Sequence, residues 1–135
     1  MDVRLGQQAS RDFRPRDWSE IRRFFADIAD QDGRFTYMVE VIESVVSSGL
    51  TGSLGATTSM HDLIVATLPL MEPPFDVIAV RAPGSLRSPP IGSVLIEHLT
   101  PTGHDERIAR PVAEAVPLFW RFAVEKFGIE PAATR

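Results

Sequence analysis

Apolar side chains recur along this chain with two different periods. Trp18, Ile21, Phe25, Ile28 and Ala29 fall at helical spacing behind Pro15 and Asp17, and Glu20 stands three residues after Asp17 in a capping-box arrangement. The pattern predicts a helix that Gly33 stops in the left-handed conformation. A second helix is predicted from about Phe35 to Ser48. Met38, Val41, Ile42, Val45 and Val46 form its apolar face, Thr36, Glu40, Glu43, Ser44 and Ser47 its polar face, and Gly49 ends it. Its β-branched residues lower helix propensity by only about tenths of a kcal/mol each, so the period decides. The short link between the two implies an αα-hairpin.

After Gly49 the texture changes to short runs rich in Val and Ile and bounded by Gly, Ser and Pro, which is how strands read. The predicted strands are a weak one at 54–58, then 62–68, 75–82 and 91–99. The rival for 62–68, a helix capped by Ser59, is the less favoured reading. In the last run Val94, Ile96 and His98 share one face and Ser93, Leu95 and Glu97 the other. Residues 100–110 read as a polar loop. A final helix runs from Pro111 or Pro117 to Phe127 and ends at Gly128; Pro117 inside it would force a kink. Residues 1–14 read as an irregular arm and 129–135 as a loose tail. The expectation is one globular domain over 1–135 of α+β class. A single antiparallel sheet of three to four strands carries the N-terminal αα-hairpin and the C-terminal aromatic helix on one face, because short turns do not permit parallel crossovers.

Composition narrows the function classes. Hydrophobic residues make up 44% and charged residues 24%, as in a globular domain, and the lack of cysteine removes disulfides and thiolate chemistry. No apolar run resembles a signal peptide or a membrane span, which predicts a soluble, cytoplasmic protein without membrane contact. The net charge of −4 is unevenly spread: seven arginines meet seven acids in 1–34, five acids stand without a base in 35–80, and seven bases meet six acids in 81–135. No element carries a basic excess, so nucleic acid is not an expected partner. Thirteen arginines against one lysine suggest a bacterial, GC-rich source.

The candidate chemistry lies in three histidines, each beside a carboxylate: His61-Asp62, Glu97-His98 and His104-Asp105-Glu106. If turns brought them together, His61, His98, His104, Asp62, Glu97 and Asp105 would supply a general base or a metal site, although the spacing matches no metal signature and no cofactor is expected. The competing reading is three scattered histidines with structural roles. Asp30-Gln31-Asp32-Gly33 resembles part of a calcium loop, but Ile28 and Val39 occupy the positions where acidic ligands belong. The glycines at 49, 52 and 55 lack the lysine of a phosphate-binding loop. The arginines interleaved with Phe13 and Trp18 are diluted by Asp12, Asp17 and Glu20.

The last helix is apolar over most of its circumference, with Leu118, Phe119, Trp120, Phe122, Ala123, Val124 and Phe127 against only Arg121, Glu125 and Lys126. Such a helix is either buried on two sides or meets a partner. Phe119, Trp120, Phe122 and Phe127 are therefore the candidate interface. The functional expectation is a non-catalytic protein-interaction module that binds a protein partner or itself, as a homodimer through this helix. The alternative is a small enzyme or small-molecule-binding protein that uses the histidine region.

Overall fold

A computed structural model describes residues 3–85 and 89–131. Helices α1 (Val3–Arg11), α2 (Trp18–Gln31) and α3 (Thr36–Ser48) precede strands β1 (Leu54–Ser59), β2 (Asp62–Thr67), β3 (Val77–Val80), β4 (Ser93–Leu99) and β5 (Glu106–Pro111), and helix α4 (Ala115–Phe122) follows. The strands form one antiparallel meander in the order β1-β2-β3-β4-β5. The class is the expected α+β with an antiparallel sheet, but the described residues form five strands rather than three or four. The additional strand is β5, which takes up residues read as loop. Its sequence, ERIARP, is polar because β5 is an edge strand with mostly exposed side chains. Charge and a terminal proline suit such an edge and discourage further pairing.

The face carrying Leu63, Val65, Ile78, Val80, Val94 and Ile96 packs under α2, α3 and α4 around Ile21, Phe25, Met38, Val41, Ile42, Phe119 and Phe122. The Asp17 carboxylate accepts a hydrogen bond from the Ser19 amide and caps α2, and Gly49, with φ 80°, closes α3. Gly33 does not stop α2. Asp32 ends that helix in an extended conformation, and its side chain caps the 3-10 turn Gly33–Phe35 by accepting from the Arg34 amide. The turn thus satisfies its amides through a side chain and needs no left-handed residue.

The opposite face is covered by a helix where an irregular arm is expected. In α1, Leu5 and Ala9 lie on one stripe and join Phe13, Ile64, Ala66, Val77, Ala79 and Leu99 in a second, smaller core. Among the described side chains of α1, Leu5 and Ala9 supply the apolar contacts, a stripe too short to mark a helix in the sequence. A Cβ on Gly6 would lie 2.2 Å from the Thr100 carbonyl oxygen, so the helix backbone rests almost directly on the end of β4.

Pro117 is the third residue of α4, within the first turn, where backbone amides have no intrahelical acceptor, so no kink is required. Beyond Phe122 the helix widens into a π-helical turn (Ala123–Phe127) and closes on Gly128 at φ 68°. Ile129 packs half-buried against the core and Glu130 and Pro131 are exposed; residues 132–135 of the expected loose tail lie outside the described residues. No helix among the described residues is long and apolar enough to cross a membrane.

Candidate functional site

The carboxylates of Asp62 and Glu97 lie on the same sheet face as the smaller core, and between them sits Arg81, one residue beyond the end of β3. Their side chains are nearly or fully buried, with relative exposures of 10%, 0% and 8% respectively. Arg81 donates from Nη1 to Asp62 at 2.9 Å and from Nε to Glu97 at 2.6 Å, while Arg107 on β5 approaches the other Glu97 oxygen at 3.4 Å. Asp62 also accepts from the Ala82 amide at 2.7 Å and from the Ser85 hydroxyl at 2.8 Å. From the other side of the sheet the Tyr37 hydroxyl donates to the Arg81 carbonyl at 2.6 Å. Burial pushes the Tyr37 phenol pKa well up, and the negative charge of Asp62 adds to the shift. Among the described residues, no buried side-chain polar atom lacks a partner. A satisfied network of this type holds shape: it ties β2, β3, β4 and α3 to the first residues of the β3–β4 loop.

Pro83, Gly84, Pro89, Pro90 and Ile91, on either side of residues 86–88, line one side of a cleft of about 860 Å³. The 3-10 turn and the start of α3 form the facing wall with Arg34, Tyr37 and Glu40, and Val112 closes the end. The volume lies in the range of about 300–1,000 Å³ typical of binding clefts. Ile91 is wholly exposed (105%) and Val112 is partly exposed (36%). At the same end of the sheet, the tip of the β1–β2 hairpin carries Met60, also exposed, with φ 56°. A left-handed conformation at a non-glycine residue is uncommon, and here it presents an apolar side chain to solvent. A smaller hollow of about 350 Å³ lies beside Pro15, Trp18 and Leu68. Its arginines are engaged, Arg16 with Thr58 and over the Phe24 ring, Arg22 with Glu43.

The histidines occupy different surroundings. His61, on the β1–β2 turn, stacks on Phe24 and meets the edge of Phe35, with ring centroids 6.0 and 5.8 Å away. His98 faces Ile78 across β3 and Glu106 across β5, and its Nε2 pairs with Asp76 at 2.9 Å. Since Ile78 in turn faces Val65, His98 and His61 are separated by roughly 15 Å, about four residues of strand rise and two strand spacings. His104 bonds Thr102 in the β4–β5 turn, where Asp105 accepts from the Thr100 amide at 2.8 Å. No three His, Cys, Asp or Glu residues come together as a metal site among the described residues. Asp62 and Glu97 share a site, but it is the Arg81 network and contains none of the histidines.

The aromatic residues of the last helix point inward. Phe119 and Phe122 are fully buried, Phe127 packs half-buried against the core, and Trp120 donates from Nε1 to the Ser44 hydroxyl at 3.0 Å. The helix lies beside α3 over β4 and β5.

Arg81, Tyr37 and Ile91 did not stand out in the sequence as functional residues. A signal for Arg81 was present: it is the first base after 46 residues without one, and it ends the apolar run VIAV. Ile91 had none, being a single apolar residue in a turn rich in Gly, Ser and Pro. No known family, curated protein or solved structure matches the chain.

Proposed function

We propose that this chain is a non-catalytic protein-interaction module whose contact surface is the cleft at the Ile91 end of the sheet. One observation carries the reading: a wholly exposed isoleucine stands on the rim of an apolar cleft whose wall is braced by a buried ion network. Scattered apolar residues on a surface are ordinary; apolar side chains gathered around a concave, rigid site are what a partner can bury. Pro83, Pro89 and Pro90 fix φ at three described lining positions, so less entropy is lost there when a partner orders against them. The C-terminal helix serves as framework, since its largest rings are already covered within one subunit. A catalytic reading would need its histidines in a common cleft.

A displayed library of random peptides selected on the purified chain tests the proposal. Selected peptides should bind wild type and lose at least about tenfold in affinity, 1.4 kcal/mol, on Ile91→Asp. The matched change Val124→Asp, at an exposed position beside the buried rings of the last helix, should leave binding intact. Peptides that respond to Val124→Asp and ignore Ile91→Asp would refute the assignment.

A further inference from the structure

We propose that the edge of β5 pairs with the β5 of a second copy, antiparallel and centred on Ile108, so that two sheets join into one. This inference goes beyond the cleft reading and does not rest on it. The two edges of the sheet differ. At β1 the Arg16 amide donates to the Ala56 carbonyl at 2.8 Å and the Trp18 indole to the Leu54 carbonyl at 2.8 Å, so the chain covers that edge itself. At β5 the register fixes which backbone groups point outward. The Arg81 amide donates to the carbonyl of Leu95, so Leu95 and Glu97 turn their backbone toward β3, and Val94, Ile96 and His98 turn theirs toward β5. Their β5 partners Arg110, Ile108 and Glu106 therefore bond inward, and the amide and carbonyl of Arg107 and Ala109 face away from the sheet. The Val112 amide, which donates to the Gly92 carbonyl, follows the same alternation. Among the described residues, the one group on these outward atoms is the Arg110 guanidinium, 2.9 Å from the Ala109 carbonyl.

Charge complementarity selects both the occupant and the register. Setting Arg107 opposite itself places like charges face to face, and setting Ala109 opposite itself puts Pro111, which has no amide, against Arg107. Setting Arg107 opposite Ala109 of the second copy gives four backbone hydrogen bonds. That register also brings Ile108 against its own counterpart and Glu106 against Arg110 of the second copy, the ion pair occurring twice by symmetry. Arg110 is exposed and has no ion pair among the described residues, and Lys126 engages only Oε1 of Glu106. On turning to Glu106 of the second copy, Arg110 releases the Ala109 carbonyl that the backbone pairing needs. Charges and a proline that discourage an arbitrary strand thus match one another in a single self-register.

Sedimentation equilibrium of the full chain tests the pairing, at concentrations up to about 1 mM because an edge contact this small supports only a weak dimer. Wild type should form a concentration-dependent dimer. Glu106→Arg and Arg110→Glu should each weaken it at least about tenfold, since each variant sets like charges opposite one another twice. An equimolar mixture of the two variants should restore dimerisation, because both ion pairs re-form in the mixed dimer with their polarity reversed. Ala109→Pro removes an outward amide that the single subunit does not use. It should abolish the dimer while circular dichroism and the denaturation midpoint stay close to wild type. A monomer at every concentration would overturn the proposal, as would a dimer indifferent to Ala109→Pro. Single variants that are weakened but not rescued by mixing would overturn it too, because this register requires the reciprocal pairs.

Discussion

The C-terminal helix and the β3–β4 loop are opposites in sequence and change places in the structure. PLFWRFAVEKF is apolar over most of its circumference, yet Phe119 and Phe122 are internal and Trp120 hydrogen-bonds to Ser44 on α3. The loop reads as an ordinary turn rich in Gly, Ser and Pro, yet it presents Ile91 completely to water. Hydrophobicity averaged over a segment thus says how much surface must be covered, whereas position in the fold says whether the same chain covers it. A helix with apolar residues all around is easily buried in a domain that has a sheet on one side and a neighbouring helix on the other. A loop residue at the end of a sheet has no such neighbours.

The sharpest way to break this comparison is to truncate a ring of the helix. Phe119→Ala should destabilise the domain by about 3–5 kcal/mol, the usual cost of removing a buried aromatic side chain. Chemical denaturation would measure it as a lower midpoint at unchanged slope. A loss below about 1 kcal/mol would mean that the ring is not part of the core and would reopen the helix as an interface.

The ion network beneath the loop comes next. Arg81→Met should cost about 3–5 kcal/mol, because the buried Asp62 carboxylate would lose its guanidinium partner and Glu97 its 2.6 Å contact. The triple change Arg81→Met, Asp62→Leu, Glu97→Leu sharpens the point, since well-packed apolar replacements of buried ion networks are often neutral or stabilising. Here the triple variant should recover stability but not peptide binding, because Ala82 and Ser85 lose the carboxylate that anchors the loop. If binding returned together with stability, the network would have no part in shaping the cleft.

What was legible in the sequence follows from how local each cause is. The burial of Ile21, Phe25, Val41, Ile42 and Val45 was written in helical spacing, and that of Leu63, Val65, Ile78 and Val80 in runs of β-branched residues between turns. Glu106–Pro111 hid its strand because an edge strand is held by backbone bonds and carries no apolar alternation. Helix α1 was hidden by small and polar residues, and its position depends on Gly6 approaching Thr100, a contact 94 residues distant in sequence. For the candidate site, adjacency suggested Asp62 and Glu97 as partners of His61 and His98. Alternation along a strand sends neighbours to opposite faces, so Glu97 and His98 were bound to separate. The register that brings both acids to Arg81 is a property of three strands together.

Tyr37 links the cleft to the network at smaller cost. Tyr37→Phe removes one buried hydrogen bond to the Arg81 carbonyl and should destabilise by about 1–2 kcal/mol. The phenol also makes stability pH-dependent. Its folded pKa lies above the ordinary phenol value of 10.0, so the neutral form is favoured in the folded state. That contribution is complete below pH 10 and is lost as the pH rises beyond it, because unfolding releases the proton. Denaturation midpoints of wild type should fall more steeply above pH 10 than those of Tyr37→Phe. Identical slopes would place the hydroxyl in contact with water.

The smallest expected effect bears most directly on function. Ile91→Asp should change stability by no more than about 0.5 kcal/mol, as for a surface residue free of special contacts. An isoleucine wholly in water contributes nothing to the core, so replacing it with a carboxylate removes no buried area from the isolated chain. The same change places a charge where a partner's apolar group would rest, and there it has to be desolvated. A large loss in binding beside an unchanged midpoint is the signature of an interface residue. A fall in midpoint comparable to that of Phe119→Ala would show that the loop folds back over Ile91 in solution, and the distinction between covered helix and open loop would fail.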